Sequence, residues 1–333
     1  MRISPAAPRL LSGAALATAA ALTLTACTAV PATRPTGGQA TASGVVGAMG
    51  GGSGTPGGAA DATPAPAGLT AEQYRAELQQ ARGPVRDALR KLADADGYKG
   101  LGKRVDRTAS AVRQAVARLE ALTPPAEVTL QHSTYLDALR MFGAAFDGAG
   151  QDVRAQEVCT GPAVLTRLDR SGDLPDMKEA AAGLAGYPAD VVSVKAAKQK
   201  TRRLGNGRII QSESRTGRGS VKVHNGGTSD AVVFLVRGKK KAVVFYVRKK
   251  SRATVPGIRD GKYRIFYTTG SDWDSGARAF SRSCAFTEFG KSVRFRTTRS
   301  GGYIRWDNWT LTLHAVKGGN VRSKPVDPDK FPG

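Results

Sequence analysis

Of 333 residues only three are cysteine and three histidine, and aromatic residues make up 6%. Three cysteines, Cys27, Cys159 and Cys284, are too few for a disulfide-dense scaffold. None stands in a CxxC pair that would mark a zinc site or a redox motif. His132, His224 and His314 lie far apart in the chain, with no cluster of acids or cysteines beside them, so no metal site is expected. HExxH, GxSxG and P-loop strings are missing too. The sequence therefore offers no catalytic constellation, and the expectation is a protein that is not an enzyme and needs no cofactor. After Cys27 no apolar run approaches the ~20 residues that span a bilayer. Acidic residues are scarce as well: 27 Asp and Glu stand against 50 Lys and Arg.

What is present begins at the N-terminus. Arg2 and Arg9 precede an uncharged Ala/Leu/Thr stretch over residues 10–24, and Leu24-Thr25-Ala26-Cys27 closes it. A positive start, a short apolar core and small residues before the cleavage point predict a signal peptide over 1–26. There is no twin-arginine pair, so general secretory export is expected. The tetrapeptide resembles the lipobox of bacterial lipoproteins, which implies lipidation of Cys27 and anchoring at the outer leaflet of the cytoplasmic membrane. Ala17-Thr18-Ala19 is the competing site, for plain secretion. Two acyl chains suffice for stable anchoring where one is marginal. Residues 27–68 are Gly, Pro, Ala, Thr and Ser with almost no charge, which predicts a flexible tether with a reach of about 35 Å.

Two composition regimes follow. Residues 69–190 are Ala/Leu-rich and carry 16 basic and 17 acidic residues. Residues 191–333 carry 31 basic and nine acidic residues, so the excess charge belongs to the C-terminal stretch. Segregated basicity points to a polyanionic neighbour. The predicted class is α+β in two domains. An antiparallel helical bundle fills 69–190, a basic connector 191–205, an antiparallel β-sandwich of seven or eight strands 206–318, and a loose tail 319–333.

Apolar residues recur at helical spacing in Tyr74, Leu78, Val85, Leu89 and Leu92. They do so again from Leu101 through Leu122 and from Val128 through Phe146. Thr70 with Gln73 starts the first helix as a capping box, and Gly83-Pro84 is expected to kink or split it. Shorter helices are expected at 162–169 and 174–185. Beyond 206, apolar runs alternate with turn residues: 221–223, 231–236, 242–247, 253–255, 263–267, 280–286, 293–297 and 303–316. Pro256-Gly257 is read as a turn.

The stretch from Gly261 through Thr268-Thr269-Gly270-Ser271-Asp272-Trp273-Asp274, with Phe280, Cys284, Phe286 and residues 309–313, resembles a β domain found in actinobacterial exported and lipid-anchored proteins. Leu122-Thr123-Pro124-Pro125-Ala126 and Cys159 resemble the helical part of similar lipoproteins. The resemblance covers about residues 69–333 and implies a cell-surface lipoprotein; it implies no activity.

Asp272 and Asp274 before Gly276 have the look of a calcium loop, but Gly276 and Ser283 stand where further ligands belong. A turn-capping role, with Trp273 as a packed lid, is the expected one. Cys159 and Cys284 either pair across the two domains or lie separately buried as small apolar residues; separate burial is expected.

The basic residues carry the functional reading. Alternation places Lys222, Lys262, Arg264, Arg294 and Arg296 on outward faces of three strands. Lys239, Lys240 and Lys241 gather at one end of a hairpin strand. Arg248, Lys249, Lys250 and Arg252 gather at the other, about 20 Å away. Charge that wraps a domain argues for diffuse attraction to anionic wall polymers or acidic lipid headgroups, with the alternative that it only solvates. In that alternative the helical part serves as an adapter for a protein partner. No aromatic stacking platform interleaves with the basic run, so nucleic acid is not expected as a natural partner.

Overall fold

The computed structural model describes residues 68–314 and 323–332. The expected signal peptide, Cys27 and nearly all of the tether lie outside the described residues. The chain is α+β, with five α-helices followed by a mostly antiparallel region of many strands.

The helices are α1 (Ala71–Ala93), α2 (Leu101–Glu120), α3 (Thr129–Arg154), α4 (Gly161–Arg170) and α5 (Asp173–Gly183). The expected capping box opens α1: Gln73 N donates to Thr70 Oγ1, and Thr70 N donates to Gln73 Oε1. The expected break at Gly83-Pro84 does not occur. Pro84 lies on the exposed side of a continuous helix, so the Gln80 carbonyl that loses its donor faces water, while Ala81, Val85 and Leu89 hold the buried stripe. Tyr74, Leu78, Leu101, Val112, Leu139, Phe142 and Phe146 meet in one helical core, with α4 and α5 adding Leu165, Leu168 and Met177. Inside it, Tyr74 Oη lies 2.8 Å from His132 Nδ1.

The strands are β1 (Ile209–Ser212), β2 (Gly219–Asn225), β3 (Asp230–Arg237), β4 (Lys240–Val247), β5 (Ser251–Ile258), β6 (Gly261–Asp274), β7 (Ala279–Phe289), β8 (Val293–Phe295), β9 (Thr297–Ser300), β10 (Tyr303–Trp306), β11 (Asn308–Thr312) and β12 (Ser323–Pro325). The described residues hold twelve strands, of three to 14 residues, rather than the expected seven or eight. Seven make one sheet in the order β1-β4-β3-β6-β7-β12, with β8 on β6; β11-β2-β5 and β9-β10 form two smaller sheets. One pairing departs from the antiparallel expectation: β11 runs parallel to β2, Trp309 beside Val221 and Leu311 beside Val223. Pro256 and Gly257 fall inside β5 rather than in a turn. Gly257 takes a left-handed φ of 80°, and the pairing with β2 slips there.

The apolar runs of β3 and β4 have a plain cause. Val233, Leu235, Phe245 and Ile265 face the three-stranded sheet and its Val221, Val223 and Val255. Val232, Phe234, Val244, Tyr246 and Phe266 are buried on the opposite face with Trp273 and Phe280. A sheet covered on both sides needs apolar residues at every position.

Part of that second cover comes from the expected loose tail, which is a correction. β12 pairs with β7, and Phe331 packs edge-on against Phe234, Phe266 and Phe286 at 5.1–5.9 Å between centroids. Asp329 accepts a hydrogen bond from Gly100 N. An aromatic residue near the end of a polar segment suffices to dock it.

The described residues lie in one compact unit. Cys159 and Cys284 form a disulfide (S–S 2.08 Å, Cα–Cα 6.3 Å), so the expectation of separate burial is corrected. The segment leaving α3 is hydrogen-bonded onto β7: Cys284 N donates to Gln156 O, Ser283 N to Glu157 O and Cys159 N to Ser281 O. That pairing brings the two cysteines within bridging range. No described helix is long and apolar enough to cross a membrane.

Candidate polyanion-binding surface

Three strands supply the most uniform cationic face. On β2, Val221 and Val223 point to the core, so Lys222 and His224 point outward. On β5, Ala253 and Val255 point inward and Arg252 and Thr254 outward; Arg252 lies directly across from His224, and Thr254 from Lys222. β11 adds Thr310 and Thr312 beside Lys222 and His224. No Asp or Glu occurs in β2, β5 or β11. His314 closes this face, its ring 5.3 Å from that of His224, and its Nδ1 accepts from Gly226 N. Desolvation, then the neighbouring Arg252, His314 and Lys222, lower the pKa of His224.

A second cluster lies where β8 meets β6. Lys262 stands directly opposite Arg294, and Tyr263 and Val293 beside them are buried. Like charges in cross-strand register repel and weaken the pairing unless an anion or water screens them. Arg296 is exposed one repeat further along.

Other predicted positions are less free. Arg264 is paired with Glu288 and lies over the Phe266 ring at 4.7 Å. Arg248 donates from Nε to Leu204 O and is half-buried. Lys250 donates from Nζ to Gly226 O. Lys249 is exposed, although its backbone N–H is held by Asp230. Lys239 and Lys240 are exposed at the β3–β4 turn, and Lys241 is half-buried. The expected wrap therefore resolves into a three-strand face, the Lys262/Arg294 pair and the lysine turn, while Arg248, Arg264 and Lys250 serve the fold.

Asp272 and Asp274 are engaged by Arg202, in the stretch expected to be a mere connector. Arg202 donates from Nε and Nη2 to Asp272 at 2.8 and 2.9 Å, and from Nη1 to Asp274 at 2.5 Å. Burial alone would raise the Asp272 carboxyl, but the hydrogen bonds from Arg202 and Ser281 outweigh it and hold it at about 2. Asp274 also accepts from Gly276 N and Ala277 N, the turn-capping role expected of it. Next in the chain, Arg203 makes a two-pronged bond to Asp230 at 2.6 Å, and Tyr246 Oη donates to the same carboxylate. A cleft of about 540 Å³ lies beside Arg202; Arg167 is paired with Asp152 and Arg202 with its two aspartates, while Arg170, Lys198, Lys200 and Arg282 also line it and form no ion pair among the described residues.

Comparison with protein-family models, with curated proteins and with solved structures returned no match.

The strand-by-strand reading missed one surface feature. Residues 303–314, the described part of the run expected at 303–316, divide into β10 and β11, and β10 folds back on β9 through Gly301-Gly302. Tyr303, Trp306 and Trp309 are exposed among Arg294, Arg296, Arg299 and Arg305. These rings stand beside basic residues that the reading by single strands kept apart from any aromatic platform. The Gly-Gly pair between two β-prone runs was the available signal, since it is a strong two-residue hairpin turn.

Proposed function

We propose that this is a lipid-anchored extracytoplasmic protein without catalytic activity. Its helical bundle and β-sandwich domain are held together by Cys159–Cys284, and its basic β surface associates with phosphate-bearing polyanions of the cell envelope. The observation that carries the reading is the outer face of β11-β2-β5: Lys222, His224 and Arg252 stand on it with no carboxylate in any of its three strands. Solvated surfaces mix both signs, and a face of one sign attracts the other. A disulfide between segments 125 residues apart favours an oxidising compartment, in agreement with the lipobox resemblance. Each Lys or Arg near an anionic leaflet contributes about 1 kcal/mol. A tether raises the local concentration of that leaflet, so a few such contacts suffice.

The test is co-sedimentation of the mature chain, residues 27–333 with Cys27→Ser, with polyglycerol-phosphate wall polymer and with phosphatidylglycerol vesicles over a salt series. Binding should fall steeply with salt and weaken when Lys222, Arg252, Lys262 and Arg294 are changed together to Gln. Absence of binding to both at physiological salt refutes the reading.

A second reading rests on α3, where Leu130 and Met141 are 74% and 70% exposed. An adapter would use that face for a protein partner. A partner captured from detergent-solubilised membranes that survives high salt and is lost with Leu130→Ser/Met141→Ser is the result that favours it.

A further inference from the structure

The β9–β10 hairpin is the only described part of the β region in which a long continuous stretch meets solvent: every residue from 298 to 310 is exposed. Its turn is Gly301-Gly302, with φ of 56° and 80°, left-handed values that suit a tight two-residue hairpin and strain a side-chain-bearing residue. The base is fixed. Asp260 accepts from Thr297 N at 2.7 Å and from Thr297 Oγ1 at 2.9 Å, Asp307 N donates to Arg296 O, and Trp309 Nε1 donates to Arg294 O at 2.8 Å. A rigid root thus carries a projecting tip.

The hairpin has an unusual composition for a solvated element, from Tyr303 beside the turn to Trp306 opposite Thr297 at the base. Tyr303 is 73% exposed and Trp306 45%, with Ile304 between them also exposed. Ile304 lies opposite Arg299, and Arg305 opposite Thr298. Alternation therefore gives one face Arg299, Ile304 and Trp306 and the other Tyr303 and Arg305. Both faces combine an aromatic ring with a guanidinium, and Arg218 lies over the Trp306 ring at 5.9 Å. The nearby acids are Asp260, occupied by Thr297, and Asp307.

We propose that this hairpin is an interfacial membrane-docking element, with Tyr303, Ile304 and Trp306 entering the headgroup region of an anionic phospholipid leaflet while Arg299 and Arg305 meet its phosphates. The proposal rests on the polyanion reading above and narrows it to lipid. Tyr and Trp rings, apolar with one polar edge, settle at the depth of the headgroups. Guanidinium groups match phosphate oxygens two at a time. A soluble polyol-phosphate chain satisfies the arginines but leaves Ile304 in water; only a bilayer offers phosphate and hydrocarbon within the length of one side chain. The four glycine-flanking residues of the tip carry no carboxylate that would oppose approach.

The experiment follows tryptophan emission of the mature chain (Cys27→Ser) during titration with vesicles of phosphatidylcholine, alone or mixed with phosphatidylglycerol. It is repeated with lipids brominated at shallow acyl positions. Trp273 is buried and gives a constant background, while Trp309, held at the root by its bond to Arg294 O, is a second exposed emitter that Trp309→Phe removes in a control. Mixed vesicles are expected to shift the emission to the blue, bromines to quench it, and Trp306→Phe to remove most of the quenched component. Tyr303→Ser/Ile304→Ser/Trp306→Ser is expected to lower vesicle partition about tenfold or more. The same variant should leave binding to soluble polyglycerol phosphate unchanged, and its melting temperature should match that of the parent because all three side chains are exposed.

Vesicle binding without quenching of Trp306 overturns the hairpin's role while the polyanion reading stands. Loss of polymer binding in the triple variant overturns the commitment to lipid and makes the hairpin a general phosphate surface. Equal insertion into neutral vesicles removes the part assigned to Arg299 and Arg305. Failure to bind either vesicles or polymer defeats both readings.

Discussion

The helical part and the β part handle charge in opposite ways. Among the helices, acids and bases are nearly equal in number, and the pairs they form lie at the surface: Arg113 with Asp147, Arg140 with Glu120, Arg118 with Glu77. In the β part acids are few, and three of the nine, Asp230, Asp272 and Glu288, are drawn under cover. Asp230 and Asp272 keep only 7% and 6% of their side-chain surface, and Glu288 is largely covered beneath Arg264. Exposed pairs are plentiful and individually weak, whereas pairs with a covered carboxylate are few and cost more to break, because the carboxylate is left without water or a partner. With those three drawn inward, Lys222, Arg252, Lys262 and Arg294 stand on outer faces with no ion pair among the described residues. The unmatched surface is thus tied to how the fold is stabilised.

The strongest way to break this comparison is to separate the two parts. The disulfide closes a loop of 125 residues, and cross-links of that span restrict the unfolded chain by about 5 kcal/mol. Cys159→Ser/Cys284→Ser is expected to lower stability by about that amount in urea denaturation, and reductant should do the same to the parent but nothing to the variant. A single cooperative transition should turn into two, with the helical part and the β part melting separately. One transition in the variant would show that the Gln156–Cys159 pairing on β7 and the docked Phe331 couple the parts by themselves.

Acid separates the two parts next. In the helical part, burial lowers the pKa of His132, against a backbone hydrogen bond to Leu119 that raises it. A group depressed in the folded state stabilises fully above its unfolded value of about 6.5, and that contribution fades as pH falls below it. In the β part, Asp272 is held at about 2, so its contribution is complete above about pH 4 and disappears as pH falls toward 2. Arg202 is partly solvated, which reduces the expected loss to about 1–2 kcal/mol. Denaturation midpoints measured from pH 7 to pH 2 should therefore fall in two stages. Asp272→Asn should lower stability at neutral pH and flatten the lower stage alone. A lower stage unchanged by that substitution would mean that Asp230, whose pKa is also lowered, carries it.

Much of this architecture was legible in the sequence. The helical spacing, the Thr70–Gln73 cap and the alternation around Lys222, Lys262 and Arg294 read directly, because each depends on neighbours within a few residues. The misreadings share one cause, long-range contact. Pro84 looks like a breaker until the helix face it occupies proves to be the wet one. Phe331 looks like part of a solvated tail until three phenylalanines from β3, β6 and β7 receive it. Arg202 and Arg203 look like solvating charge until their aspartates, 70 and 27 residues away, come into place. The parallel pairing of β11 with β2 carries no local signature, since a strand does not announce which neighbour it will join. The surface cations were legible as outward-facing, but which remain free depends on carboxylates elsewhere in the chain.

The smallest expected effect sharpens the comparison most. Both partners of the Arg113–Asp147 pair are more than half exposed at 3.1 Å, on helices already held by a large apolar core. Arg113→Ala should cost no more than about 0.5 kcal/mol, and added salt should erase even that, because water and ions screen such a pair as well as the fold does. Salt should act on the β part with the opposite sign. Screening there relieves repulsion between Lys262 and Arg294 and across the carboxylate-free face of β2 and β5, so moderate salt should stabilise the parent while weakening its binding to anionic surfaces. Lys262→Gln alone should raise the midpoint at low salt and remove part of that salt response. If it lowers the midpoint instead, the aliphatic stem of Lys262 contributes more by covering its neighbours than its charge costs, and the repulsion across β6 and β8 is already relieved by water.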